Sequence, residues 1–251
     1  MHSLVILPTY NERENLPLIV PALLDIEDLR ILVVDDQSPD GTGALADRLA
    51  AESRGRVSVL HRQGPRGLGR SYLDGMRQAL KTDADVICQM DADLSHQPAE
   101  LPSLLRASGD ADLVIGSRYV DGGSIVNWPL RRALLSKCAN RYIRTVTGVS
   151  VNDCTGGFRC WRRDALARLP LHRVNSDGYA FLVELLWEAV RARFTVAEVP
   201  ITFIERRHGA SKLNRSVLLE SARLPWRLAG RSWAEDGTAG RRTSDPGTAS
   251  L

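Results

Sequence analysis

Five short apolar runs constrain the fold more than any other feature of this sequence. They cover residues 4–7, 31–34, 57–60, 85–88 and 113–116, and helical segments are predicted between them over 13–24, 43–53, from residue 69 to about 81, and 99–107. Strands that alternate with helices at this spacing form βαβ units with a mainly parallel sheet. Because the runs are continuously apolar, we expect both faces of the sheet to be covered. The sequence therefore predicts an α/β fold with a mainly parallel twisted sheet flanked by helices.

The composition is that of a globular protein with one sizeable core, which we assign to residues 1–233. The chain has 251 residues, of which 43% are hydrophobic and 25% charged, and its net charge of +3 gives no reason to expect a nucleic-acid partner. No signal peptide precedes the first strand, and no apolar run reaches the roughly 18 residues that span a bilayer. Cysteines at 88, 138, 154 and 160 show no CxxC spacing, which favours free thiols in a cytoplasmic protein.

Two carboxylates, Asp91 and Asp93, follow directly after the fourth apolar run. In open α/β sheets, ligands bind beyond the carboxyl ends of the strands. Carboxylate oxygens suit hard cations such as Mg²⁺ or Mn²⁺, and Mg²⁺ usually completes its shell with water and substrate phosphates. The pair therefore predicts a divalent metal that holds a phosphorylated substrate. The alternative is a solvated turn with two surface acids.

Polar segments also follow the first two apolar runs, at residues 8–12 and 34–41. An acid at such a position can accept hydrogen bonds from ribose hydroxyls, and Tyr10 could lie against a base. The other interpretation is that each segment caps a helix, with Asn11 as the N-cap of the 13–24 helix. The glycine-rich loop at 64–69 lacks the full GxGxxG and P-loop patterns, so it supports neither a Rossmann nor a Walker site.

The pattern changes after about residue 121. Between Asp121 and Asp153 the chain has no acidic residue but five cations, interspersed with Leu, Tyr, Trp and Ile. This composition predicts a basic amphipathic helix over 125–147, of a kind that can lie on an anionic lipid surface. A turn into a strand is predicted at 155–161, a helix at 179–192, a strand-like run at 195–204 and a disordered tail at 234–251.

Seven motifs follow one another in the order PTYNE, VVDDQSPDGT, GPRGLG, MDADLSHQP, GSRY, TGGFR and ERRHGASK. In these motifs the chain resembles family 2 glycosyltransferases, and among them the dolichyl-phosphate or polyprenyl-phosphate mannose synthase group, over about residues 3–215. The Asp-x-Asp motif alone is unspecific, whereas the ordered series is specific. The resemblance implies a glycosyltransferase A-type fold, with 1–120 as the nucleotide-sugar-binding half and 121–233 as the acceptor- and membrane-facing half.

The resemblance also implies roles for individual residues. Those expected to bind substrate are Pro8, Tyr10, Glu12, Val34 and Asp36 for the nucleoside, Asp91, Ala92 and Asp93 for the metal and sugar nucleotide, and Arg118, Arg132, Arg206 and Lys212 for phosphate. Asp91, Asp93 and Arg118 are the expected catalytic set, and Arg131 is an alternative to Arg132. Ser95 stands where some relatives carry Gln, so either its hydroxyl or water completes the metal shell. Phe158 and Trp161 are expected in the core.

The reaction that the resemblance implies moves mannose from GDP-mannose to a polyprenyl phosphate, with inversion, in the presence of Mg²⁺ or Mn²⁺. Membrane-anchored relatives carry C-terminal spans that this chain lacks, so we expect a cytoplasmic enzyme bound peripherally to a membrane, or held there by a separate anchoring subunit. One alternative uses UDP-glucose or another nucleotide sugar, with a lipid phosphate or a hydroxyl acceptor. A hydroxyl acceptor needs a base, for which Asp153 and Asp177 are candidates. A non-catalytic nucleotide-sugar sensor or membrane-surface scaffold is the alternative from another class, and the two intact carboxylates of the metal motif argue against it.

Overall fold

The computed structural model describes residues 1–174, 176, 178–205 and 222–231. The strands are β1 Ser3–Thr9, β2 Leu29–Asp35, β3 Val57–His61, β4 Val86–Gln89, β5 Leu113–Ser117, β6 Ser124–Val126, β7 Arg159–Arg162, β8 Val196–Pro200 and β9 Thr202–Ile204. The helices are α1 Leu16–Leu24, α2 Thr42–Glu52, α3 Leu68–Ala79, α4 Leu101–Ala107, α5 Leu130–Thr147, α6 Arg163–Arg168 and α7 Gly178–Arg191, and residues 222–231 are also helical. All five predicted strands are therefore present, close to their predicted positions.

Seven strands form one sheet in the order β3-β2-β1-β4-β7-β5-β8. Every pairing in it is parallel except those of β7, which runs antiparallel to both β4 and β5. The predicted mainly parallel α/β fold is confirmed. Strand order reverses between β1 and β4, and open α/β sheets bind their ligands at such a reversal.

Two hydrophobic cores cover the two faces of this sheet. One contains apolar residues of α1, α2 and α4, and the other contains those of α3, α6 and α7 together with Ile143 of α5. Consecutive strand residues are buried in β1 and β5, as expected for strands covered on both sides. Phe158 and Trp161 are fully buried, which confirms their assignment to the core.

The first helix differs from its prediction, because it begins at Leu16 rather than at residue 13 and Asn11 does not cap it. Asn11 has a positive φ of 59°, and its backbone N–H donates to the Ser38 hydroxyl. The Glu12 N–H donates to Thr42 Oγ1 at 3.0 Å. These bonds tie the segment to the loop after β2, so it is a turn at the sheet edge instead of the first turn of a helix.

Two predicted continuous segments are each divided in the structure. The predicted 125–147 helix contains the end of β6, and α5 begins only at Leu130, after Pro129. Pro129 disfavours helical geometry for the residue before it, Trp128, which accounts for the late start of the helix. The strand-like run at 195–204 is two strands in different sheets, since β8 joins the main sheet and β9 pairs in parallel with β6.

Three further expectations concern cysteines, membrane spans and the tail. All four cysteines are free, as predicted, and the thiols of Cys88 and Cys160 lie 3.0 Å apart across β4 and β7. No helix in the part of the chain that the structure describes is long and apolar enough to cross a bilayer. The predicted disordered tail at 234–251 lies outside the described residues.

Candidate functional site

The carboxyl ends of β1, β2, β4 and β5 meet at one edge of the sheet. Parallel register pairs Thr9 with Asp35, and Ile6 with Gln89, so the loops that follow these strands are neighbours. Because β7 is antiparallel, its beginning lies at the same edge, with Arg159 opposite Gln89. Four of the predicted motifs and the TGGFR segment therefore converge on this edge.

Asp91 is fixed from two sides. Its Oδ1 accepts a hydrogen bond of 2.8 Å from the hydroxyl of Tyr72, a fully buried residue of α3. Its backbone N–H donates to Nδ1 of His96 at 3.2 Å. Burial lowers the pKa of His96, which keeps the imidazole neutral and able to accept this bond.

Asp93 is fixed by its own loop. Asp93 Oδ1 accepts hydrogen bonds from the Ser95 hydroxyl at 2.6 Å and from the Ser95 backbone N–H at 3.1 Å. Ser95 is almost completely buried, so its hydroxyl is already committed to orienting this carboxylate. In this structure the Ser95 hydroxyl therefore supports the Asp93 carboxylate.

The donor set at this edge fits a hard divalent cation. Two carboxylates separated by one residue offer oxygen ligands of the type that Mg²⁺ and Mn²⁺ prefer. Among the described residues, no group of three or more His, Cys, Asp and Glu side chains forms a metal cage. Two protein ligands, with water and substrate phosphates completing the shell, is a common arrangement for Mg²⁺ at nucleotide sites.

The predicted nucleoside contacts lie around the loops after β1 and β2. Arg66, from the glycine-rich loop, lies over the Tyr10 ring with its Cζ 4.8 Å from the ring centroid, and it hydrogen-bonds the Tyr10 hydroxyl. Asp36 is buried and ion-paired with Arg62, and it accepts a hydrogen bond from the Gly67 N–H at 2.8 Å. Asp36 thus holds the glycine-rich loop against the end of β2.

The other predicted residues of this region differ in exposure. Glu12 is partly exposed and accepts a hydrogen bond of 2.7 Å from Asn15. Pro8 and Val34 are paired in register on β1 and β2 and are buried, and Ala92 is also buried. Because the Val34 side chain belongs to the hydrophobic core, only its backbone remains for a nucleoside contact.

Arg118 lies directly after β5 and is bound tightly to Asp153. The Nε and Nη2 atoms of Arg118 each donate to the Asp153 carboxylate at 2.7 Å, and the Arg118 backbone N–H donates at 3.0 Å. Burial alone would raise the pKa of Asp153, but the charge and hydrogen bonds of Arg118 lower it below its ordinary value. Asp153 is fully buried and ionised, so it orients Arg118 and is unsuited to act as a general base.

Arg132 on α5 faces the same region. Its guanidinium lies 4.1 Å from the Trp128 ring centroid and is ion-paired with Glu205 at 2.5 Å. Trp128 and Phe203 also lie within 6 Å of the Arg118 guanidinium, at 5.7 and 5.3 Å. Arg132 therefore shares an aromatic cluster with Arg118, whereas the alternative candidate, Arg131, is exposed. Arg206, Lys212 and Asp177 lie outside the described residues.

Two residues that the sequence did not single out support this edge. One is Tyr72, described above. The other is Arg159, a fully buried cation that donates to the backbone carbonyls of Cys154, Gly156 and Leu182 at 2.8–2.9 Å. Burial lowers the pKa of Arg159 to about 10. In the sequence, only the position of Arg159 within TGGFR pointed to a role for it. Nothing pointed to Tyr72, since the sequence of a helix does not reveal a contact with the loop after the next strand.

Comparison with known proteins agrees with this geometry. A family model described as glycosyl transferase family 2 matches residues 4–169. The chain is 52% identical over 221 residues to the polyprenol monophosphomannose synthase of Mycolicibacterium smegmatis, covering 87% of this chain and 83% of that protein. It is 46% identical over 234 residues to the undecaprenyl-phosphate mannosyltransferase of Micrococcus luteus, covering 92% and 96%.

A solved structure is similar in fold. Glucosyl-3-phosphoglycerate synthase from Mycobacterium tuberculosis, crystallised with Mn²⁺, uridine diphosphate and glucosyl-3-phosphoglycerate, aligns with a TM-score of 0.64 at 19% identity, covering 91% of this chain and 80% of that one. This similarity confirms the expected glycosyltransferase A-type fold. With the family model matching most of the chain and two relatives near half identity, the chain belongs to glycosyltransferase family 2.

Proposed function

We propose that this glycosyltransferase moves mannose from GDP-mannose to a polyprenyl phosphate and releases GDP. The observation that carries the proposal is the 52% identity, over most of both chains, to a polyprenol monophosphomannose synthase. The relative from Micrococcus luteus, whose name also specifies mannosyl transfer to a prenyl phosphate, supports the same acceptor class.

The chemistry of a phosphate acceptor suits this edge of the sheet. A phosphomonoester has a second pKa near 6, so it is largely dianionic at pH 7 and needs no base to become a nucleophile. Asp153, a candidate base for a hydroxyl acceptor, is buried and paired with Arg118. We assign Arg118, Arg132, Arg206 and Lys212 to the phosphates, where cations offset the repulsion between the acceptor and the diphosphate. The anomeric carbon then inverts in one in-line displacement.

We assign the divalent cation, Mg²⁺ or Mn²⁺, to Asp91 and Asp93. When bound there, it would neutralise charge on the departing diphosphate. The two carboxylates are pre-oriented by Tyr72 and Ser95, so little reorganisation is needed to receive a cation. Mn²⁺ in the crystals of the structurally similar synthase is in keeping with a divalent cation in this fold.

A long-chain polyprenyl phosphate stays in the bilayer, so the enzyme must reach a membrane surface. On α5, Leu130, Leu134 and Leu135 are 84%, 60% and 64% exposed. The exposed cations of the same helix are Arg131, Lys137, Arg141 and Arg144. A helix with exposed leucines beside cations can lie in the interface of an anionic membrane, where each cation contributes roughly 1 kcal/mol. We therefore assign α5 to the membrane surface.

The 222–231 helix contacts α5: the Tyr142 hydroxyl of α5 donates a hydrogen bond of 2.7 Å to the Ala222 carbonyl. Trp226 on it is 61% exposed and extends the apolar surface. Arg231 is not available to lipid, since it pairs with Glu184 and Glu188 of α7. The membrane contact of this helix thus rests on Trp226 and the exposed Arg223 and Arg227. A separate anchoring subunit is needed only if this surface fails to bind lipid.

The proposal is tested by supplying the purified chain with labelled GDP-mannose, polyprenyl phosphate and Mn²⁺ or Mg²⁺. We expect label in the lipid fraction that depends on both the prenyl phosphate and the cation. Labelled UDP-glucose is the donor control, and a prenyl alcohol is the acceptor control. Preferential transfer from UDP-glucose, or to the alcohol, would overturn the proposed donor or the proposed acceptor.

A further inference from the structure

Tyr72 connects the hydrophobic core to the candidate metal site. It lies on α3, is fully buried, and its ring stacks on Phe181 of α7 with centroids 5.9 Å apart and planes within 4°. Its hydroxyl donates to Asp91 Oδ1 at 2.8 Å. Among the residues that the structure describes, no other side chain hydrogen-bonds the Asp91 carboxylate.

The other oxygen of Asp91 has a different environment. A Cβ placed on Gly157 would lie 3.5 Å from Asp91 Oδ2 and 3.7 Å from Oδ1, so the glycine leaves the face of the carboxylate that it borders without a bulky neighbour. The Asp91 backbone is held by His96 through its N–H. Asp91 is thus fixed at its backbone N–H and at Oδ1, while no hydrogen bond from the described residues reaches Oδ2.

We propose that Tyr72 is a positioning residue for the divalent cation: its hydroxyl holds Oδ1 of Asp91, so that the carboxylate is oriented with Oδ2 available to a cation. This inference rests on the proposed function, which assigns the metal to Asp91 and Asp93. The hydroxyl has two opposing effects on the metal affinity of Asp91. It weakens the carboxylate as a ligand because it draws charge from it, but it also fixes the orientation of the carboxylate. At known metal sites, loss of a ligand's hydrogen-bond partner typically lowers metal affinity or activity about 10–100-fold, so we expect the fixed orientation to outweigh the loss of charge.

Mn²⁺ binding to the full chain in the presence of GDP, followed by the electron paramagnetic resonance signal of free Mn²⁺, tests this role without turnover. Tyr72→Phe keeps the stacked ring and removes the hydroxyl, and we expect it to weaken Mn²⁺ binding about tenfold. GDP binding without metal should not change. Tyr142→Phe is the matched control, since its hydroxyl donates to a backbone carbonyl away from Asp91, and it should bind Mn²⁺ like the wild type.

A double-mutant cycle separates positioning from general damage. If Tyr72 acts through Asp91, adding Tyr72→Phe to Asp91→Asn should cause no further loss of Mn²⁺ affinity. Phe181→Leu keeps the hydroxyl but removes the stacked ring, and should weaken Mn²⁺ binding less than Tyr72→Phe. Unchanged Mn²⁺ affinity in Tyr72→Phe, additive losses in the cycle, or a parallel loss of metal-free GDP binding would each overturn the inference. A wild-type chain that binds GDP but no Mn²⁺ would overturn the proposed metal site as well.

Discussion

At the scale of single residues, the carboxylates at the sheet edge differ in what holds them. Asp36 and Asp153 are buried against the guanidinium groups of Arg62 and Arg118. Asp91 is instead held by the neutral hydroxyl of Tyr72, which does not compensate its charge. An arginine partner fixes a loop or another side chain, whereas a hydroxyl partner leaves a carboxylate able to bind a cation.

The metal assignment predicts the effect of Asp93→Asn. The change removes one anionic ligand while keeping the shape, and we expect turnover to fall at least about a hundredfold, which corresponds to about 2.7 kcal/mol of transition-state stabilisation. Initial rates at saturating Mn²⁺ measure it. Asp110→Asn, on an exposed acid, is the control and should retain full activity. Near-normal turnover of Asp93→Asn at saturating Mn²⁺ would rule out Asp93 as a ligand.

The Arg118–Asp153 pair predicts a pH-dependent loss of stability in Asp153→Asn. Removing one partner of a buried ion pair lowers the free energy of unfolding by about 3 kcal/mol. Because the folded pKa of Asp153 is lowered, its contribution is complete above the unfolded value of about 4 and is lost as the pH falls through the folded pKa. Urea unfolding at pH 7 and pH 3 should therefore show a smaller difference from the wild type at pH 3.

The same variant distinguishes the two acceptor classes. Loss of turnover together with loss of stability agrees with Asp153 as the partner of Arg118. If Asp153→Asn instead abolished turnover while stability and donor binding stayed at wild-type levels, Asp153 would be a base and the acceptor a hydroxyl.

A phosphate nucleophile predicts the shape of the pH–rate profile. The acid limb should lie near the second pKa of a phosphomonoester, about 6, because the dianion is the reactive form. The profile is measured at saturating GDP-mannose with limiting polyprenyl phosphate. The control replaces the acceptor phosphate with a phosphonate of different pKa. If the acid limb stays fixed with the phosphonate but moves in an enzyme variant, the titrating group belongs to the protein instead.

At the scale of elements, α5 is the helix whose surface is hardest to explain by packing alone. Of its 18 residues only Asn140 and Ile143 are buried. Leu130 and Leu134 are one turn apart, and four of the five cations of the helix are exposed. A free helix face of this composition agrees with contact between α5 and an anionic lipid surface.

Flotation with anionic liposomes tests the role of α5. The wild-type chain should float at low salt and less at high salt, since exposed charges are screened. Replacing Arg131, Lys137 and Arg141 with Gln should reduce flotation strongly. The control replaces Arg48, Arg54 and Arg106, three exposed arginines elsewhere, with Gln and changes the net charge equally. Equal losses in both variants would mean that net charge, and not α5, governs binding, and no flotation of the wild type would require an anchoring subunit.

At the scale of the whole molecule, the two expected halves share one sheet. β7, from the second half, lies between β4 and β5 of the first, and β8 extends the sheet beyond β5. The strand order therefore makes 1–120 dependent on 121–233 for one neighbour of β4 and for both neighbours of β5. We infer that the halves are functional divisions of a single cooperative unit.

Cooperativity predicts one unfolding transition for the full chain. Far-ultraviolet circular dichroism reports the whole sheet, while tryptophan fluorescence reports residues 128, 161, 187, 226 and 233, all in the second half. The two urea curves should coincide, as they do for two-state domains. Fluorescence that changes at a lower urea concentration than the circular dichroism would mean that the second half unfolds by itself.

The sequence by itself determined the elements and the class of chemistry. Apolar runs at regular spacing specified the parallel strands, because burial on both faces requires continuous apolar residues. The order of the motifs identified the family, and the position of Asp91 and Asp93 after a strand placed the Asp-x-Asp motif at the sheet edge. These features are local, so they can be recognised along the chain without knowledge of the fold.

Only the tertiary structure decided how distant segments combine. The antiparallel insertion of β7, the pairing of Arg118 with Asp153 and the bond from Tyr72 to Asp91 join residues 19 or more positions apart. The late start of α1 has the same origin, because contacts with the loop after β2 hold Asn11 and Glu12 in a turn. These features depend on which buried polar groups form hydrogen bonds or ion pairs with each other when the elements pack. The sequence shows that a residue is polar but not which residue it pairs with.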